Sequence, residues 1–102
     1  MKEQIDLVFR AMAHPLRREV LALLARRDDG VADVVELADG LGHLSEKTDE
    51  QLRVAFHHVH LPLLRDAGLV EYDDRTGFAR HQDGSSSDLA ESMLAKSREL
   101  ES

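Results

Sequence analysis

A mainly α chain with one small β-hairpin is the fold class this sequence predicts, and three observations predict it. Apolar residues recur at three-to-four spacing in successive segments: Ile5, Val8, Phe9 and Met12, then Leu16, Val20, Leu21 and Leu24, then Leu52, Phe56, Val59 and Leu63. Two short stretches have β character, residues 70–73 and 78–81, and Asp74-Arg75-Thr76-Gly77 joins them. Residues 50–70 read as a helix that stops at a glycine and turns directly into the first of those strands.

Each element has its local reason. Residues 1–13 predict an amphipathic helix with Ile5, Val8, Phe9 and Met12 on one face and Lys2, Glu3, Asp6 and Arg10 largely elsewhere. His14-Pro15 interrupts it, because proline disfavours helix in the residue before it and suits the first turn of the next helix. A second helix starts at Pro15 or Leu16 and runs to residue 27. It buries Leu16, Val20, Leu21 and Leu24 and carries Arg17, Arg18, Arg26 and Arg27, the last two well placed at its negative end. Asp28-Asp29-Gly30 is a turn, and Val31 adds a short strand. A third helix runs from Asp33 to Gly40 or Gly42 with Val34, Leu37 and Leu41 inward.

Thr48 or Asp49 caps the fourth helix, since a short side-chain oxygen accepts a free N–H of the first turn. Pro62 has no N–H, which predicts a kink or a loosened turn at residues 58–61. Gly68 suits a left-handed C-cap, and Gly77 supplies the positive φ of a hairpin turn. Residues 82–87 read as a flexible Gly/Ser connector. Ser86 or Ser87 then caps a last helix over 88–100, where Leu89, Met93, Lys96 and Leu100 keep the seam spacing of paired helices. That stripe either closes on its own core or forms a symmetric dimer with the first helix, and the dimer is favoured.

At 102 residues the chain makes one domain. No apolar run reaches the length of a membrane span and no signal-peptide pattern opens it, so a soluble cytoplasmic protein is expected. The absence of cysteine excludes disulfides, cysteine-ligated zinc and a thiol nucleophile. Net charge is -7, from 20 acidic against 13 basic residues. Arginine dominates the bases and aspartate outnumbers glutamate. This composition points to a salt-loaded cytoplasm, where the Debye length shrinks to about 3 Å at 1 M. At such salt the objection that an acidic protein repels DNA loses force.

Helix, helix, strand, helix, helix, hairpin, helix is the order of a winged helix-turn-helix. AMAHPLRREVLALL at residues 11–24 resembles the ALADPTRLRILRLL opening of ArsR-type winged-helix regulators, and HLPLLRDAGLV at residues 60–70 resembles their HLKVLREAGLV. The His-His-Val-His-Leu-Pro variant and short acidic wing look most like uncharacterised winged-helix proteins of haloarchaea. The resemblance covers residues 11–81. It implies a three-helix core with N- and C-terminal dimerisation helices: residues 1–82 as the DNA-binding domain and 83–102 as connector and dimerisation helix.

It further implies a homodimeric regulator of double-stranded DNA whose fourth helix enters the major groove while the wing touches the minor groove or backbone. Carried over by position, the groove-facing residues are Gln51, Arg53, Val54, His57 and His58, with Arg75 at the wing tip and Arg17 and Arg18 as phosphate contacts. Glu46, Asp49 and Glu50 depart from the family pattern by crowding the entrance of that helix. They motivate the alternative, a winged-helix module that binds protein.

His57 and His60, three apart on one helix face, suggest a metal pair, but no four-ligand set is visible and His60 matches a structural histidine of the family. His14 reads as a helix-boundary residue. No cofactor, metal or catalytic site is expected, because phosphate-binding loops, nucleophile motifs and acid pairs are all missing.

Overall fold

The structure, a computed structural model, describes residues 2–101, with side chains described as far as residue 96. Helix α1 (Lys2–Met12) and helix α2 (Pro15–Arg26) are followed by strand β1 (Val31–Asp33), helix α3 (Val34–Leu41) and a 3-10 turn (Gly42–Leu44). A continuous helical rod comes next, made of α4 (Asp49–Ala55), a π turn (Phe56–His60) and α5 (Leu61–Asp66). Strands β2 (Val70–Asp73) and β3 (Phe78–His81) form the hairpin, and α6 (Ser85–Glu101) closes the chain. This is a winged helix-turn-helix. The sheet is antiparallel in the order β1-β3-β2, with Ala79 opposite both Ala32 and Tyr72 on its buried face. No described helix is long and apolar enough to cross a membrane.

One core joins all the elements. Val20, Leu24, Leu37, Leu52, Phe56, Leu61, Leu64 and Val70 are fully buried in it. The stripe expected on α2 is buried as predicted. Asp33 caps α3 and Thr48 caps α4, each with a reciprocal capping box closed by Glu36 and Gln51.

The rod corrects one expectation. Its inner face holds Leu52 and Phe56, but then His60, Leu61 and Leu64, while Val59 is exposed. The cause is the π turn, in which the N–H of Leu61 donates to the carbonyl of Phe56, five residues back. A π turn takes in one extra residue, so every position beyond it rotates by about one residue's arc. The loosened turn that Pro62 predicts is therefore present, and it also moves the buried stripe.

The corner after α5 has a Schellman pattern. The Gly68 N–H donates to Arg65 O at 2.9 Å and the Leu69 N–H to Leu64 O at 3.0 Å, with Gly68 at φ +77°. Gln4 of α1 donates to Ala67 O at 2.6 Å, so the first helix also ties down this corner.

Two further expectations change. On α1 the core takes Val8, Ala11 and Met12, whereas Ile5 and Phe9 stand in solvent, 41% and 52% exposed. The connector expected at 82–87 is shorter, because Ser85, Ser86 and Ser87 already belong to α6. Ser87 turns inward and donates to Gln82 O. Helix α6 packs on α1 of its own chain, with Ala90 in the common core and Leu89, Met93 and Leu94 against it. The side chain of Leu100, last of the expected seam, lies outside the described residues, as does Met1 of the expected first helix.

Gly68→Ala should destabilise the fold by roughly 1–2 kcal/mol from the left-handed backbone alone. The new Cβ would also meet Gln4 and Ser86 at 3.2 Å. Urea titration checks this; an unchanged midpoint would mean the corner relaxes freely.

Candidate nucleic-acid interface

The rod and the hairpin flank an open cleft of about 310 Å³. Arg53, Val54, His57 and His58 line it from the rod, and Asp74, Arg75, Thr76 and Gly77 from the wing. Five of the residues expected to face DNA thus share one surface. Val54 and His58 are exposed there, Arg53 and His57 half-buried.

The polar groups in the cleft are not all uncommitted. Asp49 pairs with Arg53 at 2.8 Å, one helical turn away. At half exposure such a pair contributes roughly 0.3–0.5 kcal/mol, little enough to be exchanged for a better partner. The Arg53 Nε is buried without a partner. His57 Nδ1 lies 2.5 Å from the Tyr72 hydroxyl, with the two rings edge to face at 5.9 Å. His58 stands edge to face with His57 at 4.5 Å. At the wing tip the Arg75 N–H donates to Asp73 Oδ1 and the Gly77 N–H to Asp73 O, so one aspartate shapes the turn that presents Arg75.

Gln51 sits outside the cleft, exposed in the first turn of α4. Its Oε1 accepts the Thr48 N–H at 3.0 Å, so its side chain closes the capping box. A bidentate contact to adenine needs both ends of that amide and would have to break the cap.

Arg17 requires a correction. It was expected at the phosphates, yet it is buried, 8% exposed, with every observed contact internal. Its Nε donates to Ala11 O at 2.7 Å, its Nη2 to Arg10 O at 3.0 Å, and its Nη1 meets His60 Nδ1 at 3.2 Å. Arg18, half-buried, donates to Met12 O at 2.6 Å. The two arginines donate to carbonyls of the last turn of α1, of which Arg10 O also accepts the Ala13 N–H at 3.3 Å.

Histidines divide by environment. His14 caps α2, its Nδ1 accepting the Leu16 N–H at 3.1 Å. Burial lowers its pKa, and Arg17 and Arg18 lower it further. His60 is buried against Phe56 and His14. Burial first, then His14, Arg17 and Lys47, push its pKa down to about 4, so it is neutral and accepts from Arg17. His57 and His60, expected on one face, are held by different partners on different sides of the π turn. No group of three or more potential ligands capable of holding a metal occurs among the described residues.

The contact of Tyr72 with His57 and the pairing of Asp49 with Arg53 are what sequence reasoning missed at this surface. Period-two alternation places Tyr72 on the core side of β2, but nothing local shows that its hydroxyl reaches a ring 15 positions earlier. Asp49 carried a local signal, its four-residue spacing from Arg53.

Residues 9–80 match the family model described as "Domain of unknown function (DUF7344)". The chain belongs to this DUF7344 family. Among solved structures it is similar to the crystal structure of an ArsR family transcriptional regulator, at 27% identity and a TM-score of 0.61, covering 98% of this chain and 92% of that one. No curated protein matches. The neighbour supports a regulator's fold for this family member.

The depressed pKa of His60 gives a stability signature. Between about pH 6.5 and about pH 4 the unfolded chain takes up a proton that folded His60 refuses. Its contribution is therefore fully present above pH 6.5 and falls as the pH drops toward 4. Urea midpoints should decline over that window, and His60→Gln should flatten part of the decline. Equal slopes for the two proteins would assign the decline to other groups.

Proposed function

We propose that this DUF7344 protein is a DNA-binding transcriptional regulator, not an enzyme. It acts as a homodimer in a salt-rich cytoplasm. The observation that carries the reading is the cleft in which Arg53, Val54, His57 and His58 of the rod meet Arg75 of the wing. The regulator named for the structural neighbour supports it. In this reading α4 lies in the major groove. Arg53 leaves Asp49 for guanine, Val54 meets a thymine methyl, and Arg75 contacts the adjacent backbone or minor groove.

The dimer is built on α1. Ile5 and Phe9 present an apolar strip beside α6, and covering them takes two large side chains out of water. Leu89 packs against its own core, so a charge there would damage the protomer as well as any seam.

A protein-binding module is the second reading. It is favoured by Glu46, Asp49 and Glu50 at the entrance of α4, with Asp49 already neutralising Arg53.

A gel shift against the chain's own upstream region in molar KCl should give a retarded band. Arg53→Ala should weaken it by about 1–3 kcal/mol if Arg53 reads a base. No band beside a working control, together with a partner captured after nuclease treatment, would favour the second reading. Phe9→Asp should convert dimer to monomer in light scattering, with the far-UV spectrum unchanged; a persistent dimer would place the interface elsewhere.

A further inference from the structure

Tyr72 is the chain's one tyrosine, and its ring is buried in the core from β2. Its hydroxyl meets the Nδ1 of His57, a residue that lines the cleft. Two proton arrangements satisfy that contact. Either the phenol O–H donates to a bare Nδ1, or an Nδ1–H donates to the phenol oxygen.

Three considerations select the first. Among the described residues the hydroxyl has no other acceptor, so the second arrangement leaves its half-buried O–H without a protein partner. Burial, then Asp74, raises the pKa of Tyr72 above its ordinary value, so the hydroxyl keeps its proton. A phenol is a better donor than acceptor, and a bare imidazole nitrogen accepts well. With Nδ1 bare, the neutral ring carries its hydrogen on Nε2, which has no protein partner among the described residues.

We propose that Tyr72 fixes His57 in the Nε2–H tautomer, making His57 a donor-only reader of acceptor edges in the major groove. Those edges are N7 and O6 of guanine, N7 of adenine and O4 of thymine; the N4 amine of cytosine offers only a donor and is rejected. This rests on the DNA-binding reading above. Guanine, with two acceptors side by side, is the best match. Tyr72 is a positioning residue, acting through the ring it orients. His58, exposed and with no such tether, remains free to exchange tautomers and serves as the control within the same molecule.

The test has two arms that fail separately. Long-range proton–nitrogen NMR on the labelled full chain reads the tautomer directly. His57 should show a pyridine-like Nδ1 and a pyrrole-like Nε2, while His58 shows averaged nitrogens. Tyr72→Phe, which keeps the ring that fills the core, should bring His57 to the same average. A pyrrole-like Nδ1 in the native chain, or spectra unchanged by Tyr72→Phe, overturns the assignment.

Selection from a random duplex library is the second arm. The native chain should enrich a guanine at one position of each half-site by roughly five- to tenfold, about the worth of one hydrogen bond. Tyr72→Phe and His57→Ala should flatten that position and leave the others. Enriched sites with no position sensitive to either variant overturn the reader. A library that enriches nothing overturns the DNA-binding reading and the reader with it, while the tautomer is still decided by NMR. Thermal melts of both variants show whether the fold survives.

Discussion

A guanidinium buried without a carboxylate holds this molecule together. Arg17 sits in the core, and its charge is met by the carbonyls of Arg10 and Ala11, at the end of α1 where the helix dipole is negative, and by the neutral ring of His60. Burial alone would make such a charge costly, and the removal of any partner would leave one of its N–H groups unsatisfied. Burial, and then Arg10, draw its pKa below the ordinary value, but a guanidinium stays charged at neutral pH. Charge and geometry therefore fix three elements at once: where α1 stops, where α2 starts, and where the rod carries His60. The low pKa of His60 belongs to the same arrangement, because an imidazolium there would face Arg17 at 3.2 Å.

The π turn lets the rod reach Arg17 and still present an outer surface. Pro62 withholds an N–H, the helix widens at residues 56–60, and the extra residue carries His60 inward while Val59 turns out. His57, at the start of the same turn, reaches the wing through Tyr72. At its far end the rod is clamped by the left-handed Gly68 and by Gln4 from α1. A helix held at cap, middle and corner offers a surface of fixed shape. Fixed shape is what contacts to base edges require, since they depend on donors and acceptors held in register.

Most of the architecture was legible because it is written in local signals. Thr48 before Asp49, Gly68 after Ala67 and Gly77 in the hairpin each have one physical use, and each is found in that use. The apolar stripe of α2 was legible because an undisturbed helix repeats faithfully. Legibility failed where a contact spans the chain. The shift from Val59 to His60 depends on how the helix answers Pro62, and spacing alone does not show the added residue. Arg17 and Arg18 read as surface cations because their partners, the carbonyls of Arg10, Ala11 and Met12, are backbone groups with no residue code. On α1 two overlapping stripes were available, and the sequence does not say that Ala11, the smaller residue, faces the core while Phe9 does not.

The candidate surface has an electrostatic logic that follows from these commitments. Of the ten arginines, Arg17 and Arg18 end α1, Arg27 pairs with Glu36, Arg53 with Asp49 and Arg65 with Asp66. In the cleft itself the basic side chains are Arg53, already paired with Asp49, and Arg75, so counterion release, which scales with the number of phosphates neutralised, gains little there. In concentrated salt this is a small loss, because the same term weakens with every increase in salt. Affinity, on the DNA-binding reading, then comes from groups that salt does not screen: a valine for a methyl, a histidine with its proton fixed, an arginine that exchanges one partner for another. On the DNA-binding reading the acidic entrance of α4 has a positive role. It penalises approach to any duplex whose base edges do not repay the breaking of the Asp49–Arg53 pair, and so converts weak attraction into discrimination.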